Sequence, residues 1–94
     1  MRFEWDDGKN KNNILKHGID FAGAALIFLD CDRIEITDNR KNYGEERYRT
    51  IGMVNEIILC VVYTIRKFNY RIISARRANK DERETYLYNR QSTN

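Results

Sequence analysis

The only histidine in the chain shares a predicted helix face with two lysines. Lys9, Asn13 and His17 are spaced four residues apart, and Lys16 lies beside them, so a helix would align these side chains along one surface. Imidazole is suited to moving protons near neutral pH, and the lysines could hold an anionic substrate. Two interpretations stay open: His17 is a proton-transfer residue, or it only bonds the last carbonyls of its helix.

Arginines form a second group, on two predicted strands. Arginine suits phosphate because its planar fork donates two hydrogen bonds and stays charged. Strict alternation places Arg76 on one face of the last strand, and Arg71 and Arg77 on the other. Not all three can then serve one site, and solubility or edge protection is the alternative for any one of them. Arg47 and Arg49 share a face of their own strand and could extend a basic patch.

The last predicted helix carries an aromatic residue between cations. Arg83, Tyr86 and Arg90 follow helical spacing, with Leu87 on the same side. In this arrangement Tyr86 could stack on a base while an arginine holds its phosphate. Alternatively, Tyr86 and Leu87 pack on the sheet while the arginines reach solvent.

Helices are predicted in the first third of the chain and at its end. A short strand over residues 3–5 precedes a helix that is capped by Asp6 and runs to about His17, where Gly18 supplies a left-handed stop. Asp20 caps a second helix that ends near residues 30–32. Its apolar face consists of Phe21, Ala24, Ala25 and Phe28. Asn79 and Glu82 form a capping box that opens a final helix to about Arg90.

Four strands are predicted between these helices, over residues 33–37, 47–54, 57–65 and 70–75. Tight turns at 55–56 and 66–69 join the last three, and a polar, mobile loop spans 38–46. Strand 57–65 is apolar on both faces, which predicts that it lies at the centre of the sheet. The expected fold class is α+β, in the order β-α-α-β-β-β-β-α. Residues 1–94 would form one domain, a mostly antiparallel sheet with the helices packed on one face.

Composition and charge narrow the class of protein. Hydrophobic residues are 41% and charged residues 33% of the chain, which argues against disorder. The sequence shows neither a signal peptide nor a membrane-spanning run, so we expect a cytoplasmic protein. Cys31 and Cys60 lack metal-ligand spacing, and no metal or other cofactor is expected. From residue 66 onward the chain has eight Lys or Arg and three acidic residues, which gives this segment a net charge of +5. The residues before it carry a net charge of −2. This basic third fits a phosphate-bearing or acidic partner.

Several segments together resemble the BrnT family of toxins. They are FEWD with Lys9 and Asn13, KHGIDF at 16–21, FLD at 28–30, GEERY at 44–48, IG at 51–52, VYT at 62–64, RIISARRA at 71–78, and Glu82, Arg83 and Tyr86. The resemblance covers roughly residues 3–88. Gly23 stands where an acidic residue is usual, and Cys31 stands in place of a frequent proline; neither position belongs to a predicted site.

This resemblance implies a ribonuclease toxin of a type II toxin–antitoxin system with a RelE-like fold. Such a toxin cleaves RNA, inhibits translation and arrests growth. A BrnA-like ribbon-helix-helix antitoxin would neutralise it, and the toxin would contact DNA only through their complex. The alternative is a non-catalytic binding module that acts as a corepressor or protein partner.

A metal-independent endoribonuclease uses the 2′-hydroxyl of RNA as its nucleophile. It must orient that group, remove its proton, stabilise the developing charge and protonate the leaving 5′-oxygen. The sequence offers no carboxylate set for a metal pair, which favours this route. We predict four catalytic residues and six that bind RNA. The catalytic set is His17 for proton transfer, Arg76, helped by Arg47, to stabilise phosphate charge, and Tyr86 to stack on a nucleobase or orient the substrate. The RNA-binding set is Lys9, Lys16, Arg49, Arg71, Arg77 and Arg83.

Overall fold

A five-stranded sheet forms the centre of the molecule, and the computed structural model describes residues 2–39 and 44–92. The strands are β1 (Phe3–Glu4), β2 (Ile34–Asp38), β3 (Arg47–Val54), β4 (Ile57–Arg66) and β5 (Asn69–Arg77). The helices are α1 (Asp7–His17), α2 (Phe21–Ala24), a 3₁₀ helix (Ala25–Leu29) and α3 (Lys80–Ser92). The strand order is β1-β5-β4-β3-β2, and β1–β5 is the parallel pair. The predicted α+β class is confirmed, and β4 lies at the centre as expected.

Local signals set the ends of α1. The carboxylate of Asp6 accepts a hydrogen bond from the Lys9 amide at 2.9 Å, which satisfies one of the free N–H groups of the first turn. At the other end Gly18 has φ 71°, and its amide donates to the Ile14 carbonyl at 2.8 Å. Glycine takes this left-handed conformation without steric cost. The predicted bounds of this helix are confirmed.

The second helix tightens after one turn, and this changes its buried face. Asp20 caps α2 by accepting from the Ala22 amide at 2.8 Å, as predicted. From Ala25 the chain is 3₁₀-helical, with three residues per turn. Phe21, Ala24 and Ile27, spaced by three, are therefore fully buried, whereas the predicted face ended on Phe28, which is half-buried.

Two tight hairpins connect the central strands. Asn55 and Glu56 join β3 to β4 with φ of 49° and 67°, and Lys67 and Phe68 join β4 to β5 with φ of 49° and 69°. Positive φ at both central residues is the conformation that matches the twist of a two-residue hairpin. The polar loop predicted over 38–46 is described only in part: Asp38 ends β2, and residues 40–43 lie outside the described residues.

Apolar clusters cover both faces of the sheet. One joins Phe21 and Ile27 to Leu59 and Val61 of β4, and the other joins Tyr86 of α3 to residues that include Cys60. Because adjacent strand residues point to opposite faces, α2 and α3 lie on opposite sides of β4. The sequence predicted all helices on one face of the sheet, whereas the structure has α2 and α3 on opposite faces. Strand β4 is apolar on both faces because helices cover both.

The α2 side of the sheet depends on a close approach at Gly52. A Cβ atom there would lie 2.8 Å from Ile27 Cγ1 and 3.1 Å from the Arg33 Cβ. The absence of a side chain therefore lets the 3₁₀ helix pack directly on β3.

None of the described helices is both long and apolar enough to span a membrane.

The outer edge of β5 is completed by one amide side chain. Strand β1 pairs only with Tyr70 and Arg71. Further along, Asn13 of α1 takes over: its Nδ2 donates to the Ala75 carbonyl at 2.8 Å, and its Oδ1 accepts from the Ala75 amide at 3.1 Å. Nδ2 also donates to the Ile19 carbonyl at 2.9 Å. This buried side chain thus replaces a paired strand residue and fixes α1 against the sheet.

Asn13→Ala should be strongly destabilising. It leaves buried donors and acceptors without partners, and we expect the free energy of unfolding to fall by about 2–3 kcal/mol. Urea unfolding followed by circular dichroism measures this loss. Asn12→Ala, at an exposed position of the same helix, is the control and should change stability by less than about 0.5 kcal/mol. Equal stabilities of the two variants would contradict the edge-closing role of Asn13.

Candidate active site

A β-bulge determines which arginines of β5 share a face. The β4–β5 register pairs Arg76 with Cys60 and Arg71 with Thr64, but it shifts between Val62 and Tyr63. Cys60 and Thr64 point to the same side of β4, and so do Arg76 and Arg71 beside them. Strict alternation had separated these two arginines, and the bulge corrects that prediction. Arg77, opposite Leu59, lies on the other face, as expected.

Strand β3 adds two more arginines to this side of the sheet. Arg49 pairs with Val62, which has the orientation of Cys60 and Thr64, and Arg47 lies two residues before it. We call the surface formed by Arg47, Arg49, Arg71 and Arg76 the arginine face. Helix α3 lies on the same side, where it packs over Cys60 and Ile51.

Glu82 connects α3 to two of these arginines. Its carboxylate, in a residue only 7% exposed, accepts from Arg76 at 2.7 and 3.0 Å and from Arg49 at 3.1 Å. It also accepts from the Asn79 amide at 2.8 Å, while the Glu82 amide donates to Asn79 Oδ1 at 2.9 Å. The predicted capping box is confirmed. The same carboxylate also positions the guanidinium groups, a role that sequence spacing did not indicate.

The arginines keep the Glu82 carboxylate ionised. Burial alone would raise its pKa, but the Arg76 hydrogen bonds and the Asn79 amide outweigh this effect and lower the pKa to about 2. Arg49, Arg76 and Glu82 therefore carry a net charge of +1 together. Arg71 donates to Glu4 at 2.7 Å. Cys60, beneath this network, is not a nucleophile, since burial raises the pKa of its thiol to about 12.

The polar stripe of α1 borders the arginine face. Lys9, Lys16 and the half-buried His17 line a shallow cavity of about 290 Å³, with Ile73 and Ser74 of β5 on its other side. Ser74 pairs with Val62 and so points to the same side as the arginine face. The structure thus places the predicted α1 residues beside Ile73 and Ser74, in the same strand as Arg71 and Arg76. Asn13, also in this stripe, has the structural role described above.

Arg77 and Arg83 form a separate group. They line a cavity of about 340 Å³ with Ile57, Ile58 and Ala78 among its walls. Arg83 donates to the Ala78 carbonyl at 2.8 Å, and Arg77 lies on the sheet side opposite the arginine face. These two predicted RNA-binding residues are therefore not part of the main cluster.

Tyr86 does not have the placement that base stacking requires. The residue is 1% exposed within the α3 cluster, so its ring offers no free face. Its hydroxyl donates to Asp30 Oδ2 at 2.6 Å, and Asp30 also accepts from the Met53 amide at 2.8 Å. Burial and the Asp30 hydrogen bond raise the pKa of Tyr86 to about 12. Tyr86 therefore anchors α3 to the 3₁₀ helix and β3, instead of stacking on a base as predicted.

The described residues offer no metal site of the usual kind. Within residues 2–39 and 44–92, no three His, Cys, Asp or Glu side chains come together in a way that could hold a metal ion. The cationic side chains are the groups available here to meet an anionic substrate.

Comparison with known proteins gives one family match. The sequence profile of a family described as "Ribonuclease toxin, BrnT, of type II toxin-antitoxin system" matches residues 5–82, which is most of the chain. Curated proteins gave no significant match. The matched segment contains all four residues of the arginine face, the α1 stripe and Glu82.

Glu82→Gln should lower stability in a pH-dependent way. The folded-state pKa of about 2 lies below the ordinary value of 4.5. The stability that the ionised carboxylate contributes is therefore complete above about pH 4.5 and is lost as pH falls toward 2. We expect the variant to be less stable than the parent by about 3 kcal/mol at neutral pH, with the gap closing in acid. Urea unfolding at several pH values measures this difference.

The control for this experiment is Glu84→Gln. Glu84 is on the same helix and forms an exposed pair with Lys80 at 3.9 Å, so its loss should cost less than about 0.5 kcal/mol. A Glu82→Gln deficit that does not shrink in acid would show that the ionised carboxylate is not the source of the stability.

Proposed function

Because the chain belongs to the BrnT family of ribonuclease toxins of type II toxin–antitoxin systems, we propose that it cleaves RNA without a metal ion at the arginine face. The proposal includes one domain over residues 1–94, a cytoplasmic location, inhibition of translation and arrest of growth. It also includes neutralisation by a BrnA-like ribbon-helix-helix antitoxin and contact with DNA only through that complex. The observation that carries it is the set of four arginines on one side of the sheet.

The arginine face fits the most demanding part of the reaction. When the 2′-hydroxyl attacks the phosphorus, negative charge builds up on the phosphoryl oxygens, and preorganised donors stabilise it best. Arg76 is preorganised, because Glu82 holds both of its terminal nitrogens. In this proposal Arg76 and Arg47 stabilise the charge, and Arg49 and Arg71 bind neighbouring phosphates.

Helix α1 supplies the proposed proton transfer. A phosphodiester over Ser74 would lie between His17 on one side and Arg71 and Arg76 on the other, since Ser74 borders both groups. His17 would move a proton from the 2′-hydroxyl or to the leaving 5′-oxygen. Lys9 and Lys16 would hold the RNA backbone beside it. Arg77 and Arg83 would contact RNA further from the reaction, and Tyr86 acts only through the position of α3.

Arg76→Ala should abolish most RNA cleavage. Loss of a charge-stabilising donor costs about 100-fold or more in rate. The measurement uses purified protein and end-labelled RNA in the presence of EDTA, with 2′,3′-cyclic phosphate ends as the product signature. In cells, the parent should arrest growth with loss of RNA, and the variant should not.

Two further variants control for charge and for folding. Arg90→Ala removes one cation from α3, outside the arginine face, where the Arg90 guanidinium lies 3.7 Å from the Asp32 carboxylate. This variant should cleave RNA like the parent. Arg76→Lys keeps the charge but not the planar fork and should have intermediate activity. Parental activity of a folded Arg76→Ala protein would remove Arg76 from the reaction.

His17→Ala tests proton transfer separately. If His17 is the acid or base, the rate should fall by about 100-fold or more, with little change in RNA affinity. Lys16→Ala, its neighbour, should instead weaken binding modestly, because a single exposed lysine contributes one phosphate contact. A His17→Ala protein that cleaves at the parental rate would leave the histidine with a capping role only.

The binding-module alternative makes the opposite prediction for the same variants. A corepressor or protein partner would bind its antitoxin but leave RNA intact, and its cellular effect would survive Arg76→Ala. A neighbouring reading frame for a short ribbon-helix-helix protein would support the antitoxin pairing in either case. RNA cleavage by the isolated chain decides between the two.

A further inference from the structure

The β4–β5 hairpin ends in an exposed aromatic residue with an unfavourable backbone conformation. Phe68 is 87% exposed and has φ 69°, and Lys67 before it has φ 49°. Among the described residues no aromatic ring packs against Phe68. A bulky side chain is thus presented to solvent at the tip of the sheet.

The turn itself does not require this residue. Two-residue hairpins of this conformation favour Asn followed by Gly, because both positions need positive φ. The β3–β4 hairpin follows that preference in part, with Asn55 at its first position. Positive φ is rare for a large aromatic residue, and strained residues tend to occur at functional sites. The Phe68 side chain therefore needs an explanation other than the geometry of the turn.

The tip continues the arginine face. Arg66 points to the same side of β4 as Thr64, which pairs with Arg71. Lys67 is exposed, and Arg66 lies at the surface with its guanidinium 2.9 Å from Glu45. Phe68 precedes Arg71 by three residues, a distance of about 10 Å along a strand. One extended nucleic-acid strand could contact both.

We propose that this hairpin tip is a second RNA contact, at which Phe68 stacks on an unpaired base and Lys67 holds an adjacent phosphate. This inference rests on the proposed function. An aromatic ring beside cations binds single-stranded nucleic acid with little sequence preference, since every base has a face for stacking. The tip would direct an unpaired segment of RNA onto the arginine face.

A protein partner is less consistent with the surroundings of Phe68. Leu29 is similarly exposed at 81%, but the cavity beside it combines apolar residues such as Leu26 and Met53 with charges of both signs. The charged residues are Asp30, Glu56 and Arg90. Phe68 instead has the exposed Lys67 next to it. On the same side of the sheet Arg66 and Arg71 are paired with Glu45 and Glu4, so these five charged groups together keep a net charge of +1. The cationic neighbourhood favours a polyanion over an apolar protein surface.

The test separates stability from binding. Phe68→Gly suits the turn better, so its thermal midpoint should rise by about 4 °C, whereas its affinity for RNA should fall about tenfold. The probe is a fluorescein-labelled 2′-O-methyl oligoadenylate, which has no free 2′-hydroxyl and cannot be cleaved. Fluorescence anisotropy gives Kd. Phe68→Trp should bind like the parent, and Leu29→Ala, the matched exposed apolar residue, should change neither affinity nor cleavage.

Each outcome has a distinct meaning. Weaker binding by the more stable Phe68→Gly protein supports the inference, because a merely structural residue would not separate the two effects. Parental binding by that variant overturns it but leaves the proposed function intact as long as the parent cleaves RNA. Parental RNA binding with loss of the antitoxin complex also overturns it and makes the tip a protein contact. A parent that neither binds nor cleaves RNA refutes the proposed function and the inference together.

Discussion

The ion network around Glu82 is the interaction on which the rest of the candidate site depends. A buried carboxylate is costly unless its charge is compensated, and here two guanidinium groups and a backbone amide compensate it. The same carboxylate caps the first turn of α3, where its negative charge also favours the helix dipole. One side chain thus holds the helix on the sheet and holds Arg49 and Arg76 in place. The network keeps a net positive charge, so it can attract a phosphate as well as stabilise the fold.

The position of α3 leaves part of one side of the sheet without a helix packed over it. Glu82 fixes the start of the helix, and the Tyr86 hydroxyl fixes its next turn to Asp30. Between these two anchors the helix covers Ile51 and Cys60, but it does not extend over the sheet as far as Arg71. On the opposite side, α2 and the 3₁₀ helix provide a full apolar core. One side of the sheet therefore supplies much of the stability, and the other is partly free for a charged surface.

Features that depend on neighbouring residues could be predicted from the sequence. The caps at Asp6 and Asp20, the capping box at Asn79, the two hairpins and the central position of β4 all follow from short patterns. Two other features depend on tertiary contacts. The β-bulge that reunites Arg71 with Arg76 leaves no mark in an alternating pattern, and it changes the composition of the site.

The burial of Tyr86 shows the same limit for a single side chain. The helical spacing of Tyr86 between Arg83 and Arg90 did not decide whether the Tyr86 ring faces solvent or the core. The deciding factor is Asp30, a distant residue whose carboxylate accepts its hydroxyl. The pairing of Glu82 with Arg49, 33 positions apart, is likewise invisible to local patterns. The family resemblance covers the segments that hold these residues, but it could not assign a direction to each side chain.

The β4–β5 hairpin combines two departures from local rules, a bulge and a turn with an aromatic residue at positive φ. The bulge in β5 and the Lys67–Phe68 turn are in adjacent parts of the same hairpin. Each is locally unfavourable compared with a regular ladder and an Asn-Gly turn. At the opposite end, where Met53 and Ile58 pack near α3, the β3–β4 ladder has no register shift, although the Asn55–Glu56 turn also has positive φ at both residues. A fold stabilised at one end can tolerate such features at the other, where the bulge places Arg71 and Arg76 on one face and the turn exposes an aromatic ring at the adjacent tip.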